Sequence, residues 1–167
     1  MTSYRAWAAP KPGAALEAFA YDPGPLGADA VAITVEHCGI CHSDLSMLDN
    51  HWGFTQYPFV PGHEAVGRVT ALGANARGVV MGQRVGLGWN AHSCLHCDPC
   101  LAGNQHLCRE LQPTLAGRHG ACAEKVRAHW VWVVPLPEGL DAAECGPLPC
   151  GGITVFAPLR ELGISPT

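Results

Sequence analysis

The chain contains no apolar run approaching the roughly 18 residues that a membrane-spanning helix needs, and it has no cluster of lysine and arginine. The first absence excludes a helical membrane anchor within the sequence. The second argues against a nucleic-acid backbone as partner, because phosphate binding rests on grouped positive charge. The opening stretch, residues 1–13, lacks the apolar centre of a secretory signal peptide. Internal repeats and low-complexity segments are also missing. Charged residues make up only 14%, with a net charge of -4, whereas 48% of residues are hydrophobic, so a packed domain is expected and not a disordered chain. At 167 residues there is room for one domain and little more.

Cysteine is abundant, with nine residues. An odd number cannot pair completely in disulfides, and without a signal peptide the expected location is the cytoplasm, where clustered cysteines more often bind metal. Cys94, Cys97, Cys100 and Cys108 follow the pattern C-x2-C-x2-C-x7-C. Four thiolates on one short loop can surround a single tetrahedral ion. The same pattern superficially resembles iron–sulfur ligation, although its x7 gap differs from the bacterial ferredoxin run.

Gly and Pro punctuate short runs rich in Val, Ile, Thr and aromatic residues. Residues 30–38, 65–72, 83–88 and 128–135 read as strands, which predicts a mainly β barrel or sandwich. A short helix is expected after Ser43, with Ser43 as its cap. A second helix should start in residues 151–163, with Pro158 breaking or kinking it. The match Gly86-x-Gly88-x-x-Ala91 leads into the cysteine lobe and lacks a βαβ context, so it reads as a strand end and turn.

Three further segments carry potential ligands: residues 37–45 with Cys41, Ser43 and Asp44; residues 61–67 with His63 and Glu64; and residues 146–154 with Cys150. Two thiolates, an imidazole and a carboxylate form a mixed set suited to zinc, with a position that can open for water or substrate. CysGlyIleCysHisSerAsp, ProGlyHisGlu and ProLeuProCysGlyGlyIleThr, in this order around the four-cysteine lobe, resemble the N-terminal part of the zinc-dependent medium-chain alcohol dehydrogenases. The cinnamyl alcohol dehydrogenase-like branch, usually NADP-dependent, is the nearest in pattern.

The resemblance implies a GroES-like partly open β-barrel over residues 1–167, with short flanking helices and a zinc-binding loop lobe at about 92–110. It implies two Zn²⁺ ions. Cys41, His63 and Cys150, with Glu64 adjacent, would hold a catalytic one, and Cys94, Cys97, Cys100 and Cys108 a structural one. Ser43 would move the substrate proton, Asp44 would orient His63, and Thr154 would touch the cofactor. Trp52 and Trp89 are candidates for the substrate wall. The implied activity interconverts primary alcohols and aldehydes with NAD(P), since zinc itself accepts no hydride. The Rossmann cofactor domain is expected to be absent from the chain. A separate Rossmann half is then a potential partner, beside a small alcohol or aldehyde substrate, and the chain alone should be inactive or weakly active and bind NADPH poorly.

Two departures from the family pattern stand out. Ser46 occupies a position where many members carry the histidine that ends the proton relay, and serine cannot titrate near neutral pH. AlaCysAla at 121–123 replaces a more usual GlyPheAla, which is expected to loosen local packing. The remaining histidines read as surface or loop residues, and Trp130 and Trp132 as packing residues. Cys38 precedes Cys41 as C-x2-C, a spacing that alone also fits a redox dithiol; the resemblance makes it a spectator. Cys122 and Cys145 read as small buried thiols. An electron-transfer protein and a non-catalytic zinc module remain the alternative functions.

Overall fold

The computed structural model describes residues 3–165. The chain opens with a hairpin of β1 (Tyr4–Ala8) and β2 (Glu17–Tyr21), followed by β3 (Ala30–Cys38), α1 (His42–Leu48), β4 (Ala65–Leu72) and β5 (Arg84–Leu87). The cysteine lobe comprises β6 (Asn90–His92), α2 (Asp98–Leu101) and β7 (Gln112–Pro113). The chain then forms β8 (Lys125–His129), β9 (Val133–Pro135) and α3 (Ile153–Glu161). The main sheet has five antiparallel strands in the order β8-β3-β4-β5-β9 and does not close on itself. No described helix is long and apolar enough to cross a membrane.

The strands follow from the pattern of β-branched residues. In β8 the alternation puts Val126 and Ala128 inside and leaves the residues between them half-buried. Val31 and Ile33 of β3, Val69 of β4, and Val85 and Leu87 of β5 join them in one core. Burying each Val, Ile or Leu side chain stabilises the fold by about 1.5–3 kcal/mol relative to exposure. Gly67 of β4 pairs with Val35 of β3. A Cβ there would lie 2.1 Å from the Thr34 carbonyl oxygen, so only glycine fits.

Three local expectations need correction. The run 128–135 is not one strand. His129 Nδ1 accepts the Val131 N–H at 3.2 Å, and a 3₁₀ turn, Trp130–Trp132, separates β8 from β9. The turn carries the chain from one edge of the sheet to the other. It is held by Trp132 Nε1 donating to Ser93 Oγ at 3.1 Å and by the Arg77 guanidinium 4.8 Å over the Trp130 ring. Both tryptophans therefore pack, as the sequence suggested.

The second correction concerns α1, whose cap is Cys41 in extended conformation, not Ser43. Asp44, in the first turn, accepts the Cys41 N–H at 2.9 Å and so takes the capping role that was expected of Ser43. Third, Pro158 does not break α3, which continues through it to Glu161. The missing N–H leaves one carbonyl free on an exposed helix, where water can serve it, and a widened π turn over Leu148–Gly152 precedes the helix. The apolar side chains Ile153, Val155, Phe156, Leu159 and Leu162 all lie exposed along α3 and its end.

Candidate metal centres

Cys41 reaches the first site from the N-terminus of α1, His63 and Glu64 from the residues just before β4, and Cys150 from the π turn before α3. Their ligand atoms all lie within 4.8 Å of one another. The Cys150 and Cys41 sulfurs are 3.9 Å apart, and Cys150 Sγ is 3.3 Å from His63 Nε2. Zinc bonds of about 2.3 Å to sulfur and about 2.0 Å to nitrogen place tetrahedral ligands roughly 3.5–3.8 Å apart. The donor set therefore fits one such ion.

Asp44 organises this site. Its Oδ1 lies 3.1 Å from His63 Nδ1 and accepts the Gly62 N–H at 2.8 Å, while its Oδ2 caps α1. With Nδ1–H directed to the carboxylate, Nε2 is the nitrogen left facing the two sulfurs. His63 is fully buried. Burial alone would raise the Asp44 pKa, but hydrogen bonds from His63, Cys41 and Gly62 overcome it and hold the carboxyl below its usual range. Burial likewise opposes protonation of His63, yet Asp44 and the Cys41 sulfur prevail and raise its pKa. Burial also resists ionisation of Cys41, but the N–H and hydroxyl of Ser43, with His63 and Cys150, bring its pKa down. Cys150 is pushed up to about 12 by burial and then by the neighbouring Cys41 and Glu64. The pocket thus stabilises one thiolate readily, and a dication must displace the second proton.

Two glycines whose packing role the sequence did not show make room for these groups. A Cβ on Gly39 would lie 2.0 Å from Glu64 Oε2. One on Gly88 would lie 2.2 Å from the Pro149 carbonyl oxygen, next to Cys150. The Gly86-x-Gly88 turn is therefore a strand end, as read from the sequence, and its second glycine admits the Cys150 turn.

Ser43 Oγ is 3.7 Å from the Cys41 sulfur. Ser46 is buried, and its carbonyl accepts the His51 N–H at 2.8 Å. The His51 imidazole is exposed and lies 3.9 Å from Asp49. Trp89 packs edge-to-face on His63 with ring centroids 5.0 Å apart, and Trp52 lies 5.9 Å from Trp89. Phe54 stacks on Trp52 at 6.0 Å; the sequence reading missed it because an isolated loop aromatic carries no periodic signal. Thr154 is exposed in the first turn of α3, outside the cluster of ligands.

The second site is built by the lobe itself. The ligand atoms of Cys94, Cys97, Cys100 and Cys108 also fall within 4.8 Å of one another. Leu95 adopts φ 61, a left-handed conformation uncommon for a branched side chain. The resulting turn points the Cys97 N–H at the Cys94 sulfur, 3.4 Å away. The N–H groups of Cys94 and Glu110 approach Cys108 Sγ at 3.3 Å each. His96 and Glu110 form a third grouping with Cys94 at the exposed rim.

Backbone donation from Cys100 brings the Cys97 pKa down to about 7, whereas burial and Cys97 push Cys100 up to about 12. Metal must therefore expel protons to bind here. Zinc affinity of the lobe is expected to rise as pH increases from 6 to 8, across about 7 where Cys97 ionises. Calorimetric titration in buffers of different ionisation enthalpy should count at least one proton released per ion. An affinity flat with pH would contradict this origin.

The alcohol dehydrogenase GroES-like domain family matches residues 27–138, so the chain belongs to it. More specifically, it is an N-terminal domain of the zinc-dependent medium-chain alcohol dehydrogenases. It is 50% identical to the aldehyde reductase AdhA of Synechocystis sp. over 163 residues, covering 98% of this chain and 48% of that protein. It is 38% identical to the NADP-dependent alcohol dehydrogenase 6 of Saccharomyces cerevisiae over 154 residues, covering 87% of this chain and 43% of that protein. The fold superposes on the cinnamyl alcohol dehydrogenase SbCAD4 of Sorghum bicolor with a TM-score of 0.92 at 32% identity, covering 98% of this chain and 49% of that one. The chain spans about half the length of the curated relatives it matches.

Proposed function

We propose that residues 1–167 form the catalytic-domain portion of an alcohol dehydrogenase that interconverts primary alcohols and aldehydes by hydride transfer with NAD(P). The observation that carries this reading is the convergence of Cys41, His63, Glu64 and Cys150, with Asp44 fixing the imidazole. Zinc, when held by these residues, supplies a Lewis acid that eases loss of a hydroxyl proton and polarises a carbonyl. The chain's own groups do the rest. Asp44 positions His63, Ser43 carries the proton from the substrate hydroxyl, and Glu64 offers a fourth donor that substrate can replace.

Trp52, Phe54 and Trp89 form an aromatic wall beside His63 and would exclude water from an aromatic or medium-sized aldehyde. The relatives' names favour NADP as the hydride carrier and an aldehyde as substrate. Thr154, at the start of α3, is the residue proposed to meet that cofactor. The lobe at about 92–110 would hold a second, structural Zn²⁺. Its sulfurs lie close enough to share one ion, which speaks against an iron–sulfur cluster; a colourless metal-loaded protein would agree. A reducing compartment such as the cytoplasm keeps these thiols available.

A dinucleotide-binding half is proposed to complete the site, and the 167 residues alone should show little turnover. The test mixes the zinc-loaded chain with such a half and NADPH and follows aldehyde-dependent oxidation of the cofactor. Activity should appear only in the mixture and fall about 100-fold or more in His63→Ala. Undiminished activity in that variant would overturn the assignment, and so would a zinc content well below two ions per chain.

A further inference from the structure

Six of the nine cysteines belong to the two ligand sets, which leaves Cys38, Cys122 and Cys145. Cys145 is buried among Val66 and Ala142 and meets neither of the others. Cys38, at the end of β3, and Cys122, just before β8, are far apart in sequence, yet both line one groove and both stand against Gly62. One point fixes their approach. The position of a Cβ on Gly62 lies 2.9 Å from Cys38 Sγ and 2.6 Å from the Cys122 amide nitrogen. A larger residue at 62 would drive between them.

The pair is also reachable. Both cysteines are half-buried, and both line a groove of about 720 Å³ between the β1–β2 hairpin and β3, beside Trp7, Phe19 and Glu124. The groove is open to solvent, so a small reagent can enter. Its backbone is well anchored: the Cys122 N–H donates to the Pro61 carbonyl at 2.8 Å, and the Cys122 carbonyl accepts the Trp7 N–H at 2.9 Å. Cys122 is therefore fixed by its own backbone hydrogen bonds, and Cys38 by its pairing with Ala65 across β3 and β4, with no metal required.

We propose that Cys38 and Cys122 form an oxidative modification site at which a hydroperoxide joins the two sulfurs in a disulfide. One sulfur attacks hydrogen peroxide and the O–O bond breaks, giving a sulfenic acid and one water. The other sulfur then displaces the sulfenic oxygen, which leaves as a second water with the remaining thiol proton. The sulfur pair loses two electrons and the peroxide gains them. The bond clamps the end of β3 to the segment hydrogen-bonded to Pro61 and Gly62, directly ahead of His63. Zinc bound to the six ligand cysteines would lower the nucleophilicity of their sulfurs toward peroxide.

The test treats the full zinc-loaded chain with one equivalent of hydrogen peroxide, blocks remaining thiols by alkylation, and maps the digest by mass spectrometry without reduction. A Cys38–Cys122 linked peptide is expected, with an intact-mass loss of about 2 Da that dithiothreitol reverses and no change in zinc content. Cys122→Ala should abolish that mass loss, and Cys145→Ala should leave it unchanged. Recovery of Cys38 and Cys122 as separately alkylated peptides would overturn the proposal. So would a disulfide mapped to any other pair, or oxidation that proceeds only with zinc release.

Discussion

Cys97→Ser is expected to strip one of the two proposed zinc ions from the chain and unfold the lobe at about 92–110, while Cys41, His63 and Cys150 would still bind the other. The reason is that the lobe has little else to hold it. Its two helical pieces, α2 and the 3₁₀ turn Gln105–Leu107, have four and three residues, and β6 and β7 have three and two. Elements this short cannot stand alone. Cys100, Cys108 and Ala91 are buried there, while Leu101 and Leu107 face outward. Structural zinc binding in comparable small modules contributes about 10–16 kcal/mol, which is then folding energy. Elemental analysis should fall from two zinc per chain towards one. Amide exchange should accelerate in the lobe and stay slow in β3 and β4. Equal loss of both ions would contradict the independence of the two sites.

Asp44→Ala should damage both the fold and the first site. The buried carboxylate serves three donors at once: the Cys41 N–H, the Gly62 N–H and His63 Nδ1. Leaving buried donors unpaired costs about 1–3 kcal/mol each, so a destabilisation on the order of 3 kcal/mol or more is expected. Zinc at Cys41, His63 and Cys150 should weaken as well, because nothing then fixes the imidazole. The pH dependence has a definite sign. The folded Asp44 has a depressed pKa, so its contribution is full above the ordinary carboxylate pKa and is lost as pH falls through the lower folded value. The gap between wild type and Asp44→Asn in urea unfolding should therefore be wide at neutral pH and narrow in acid. A gap that stays constant would place the effect elsewhere.

Much of the central sheet was legible in the sequence because its strands are short runs rich in β-branched residues. Residues 30–38 and 65–72 form β3 and β4 with the expected limits. The run 128–135 misled for the same reason: Val131 and Val133 continue the pattern, and only the hydrogen bond from the Val131 N–H to the His129 ring reveals the turn. Ser43 looked like a cap by residue type, but the capping carboxylate is Asp44, one position later. The ligand residues could be named because they sit in short recognisable motifs, and the structure brings each set together. The packing roles of Gly39 and Gly88, and the place of Phe54, could not be read. Their importance lies in close approaches between segments distant in sequence, which no local pattern records.

Cys150 lies beyond the last strand, on the turn that leads to α3. Its partners in the cluster, Cys41 and His63, belong to the framework around β3 and β4. The ion proposed for chemistry is thus also a rivet between the sheet and the tail. A chelator would do more than silence a reaction: it would let the oily helix at the tail swing loose, coupling loss of metal to clumping of the protein.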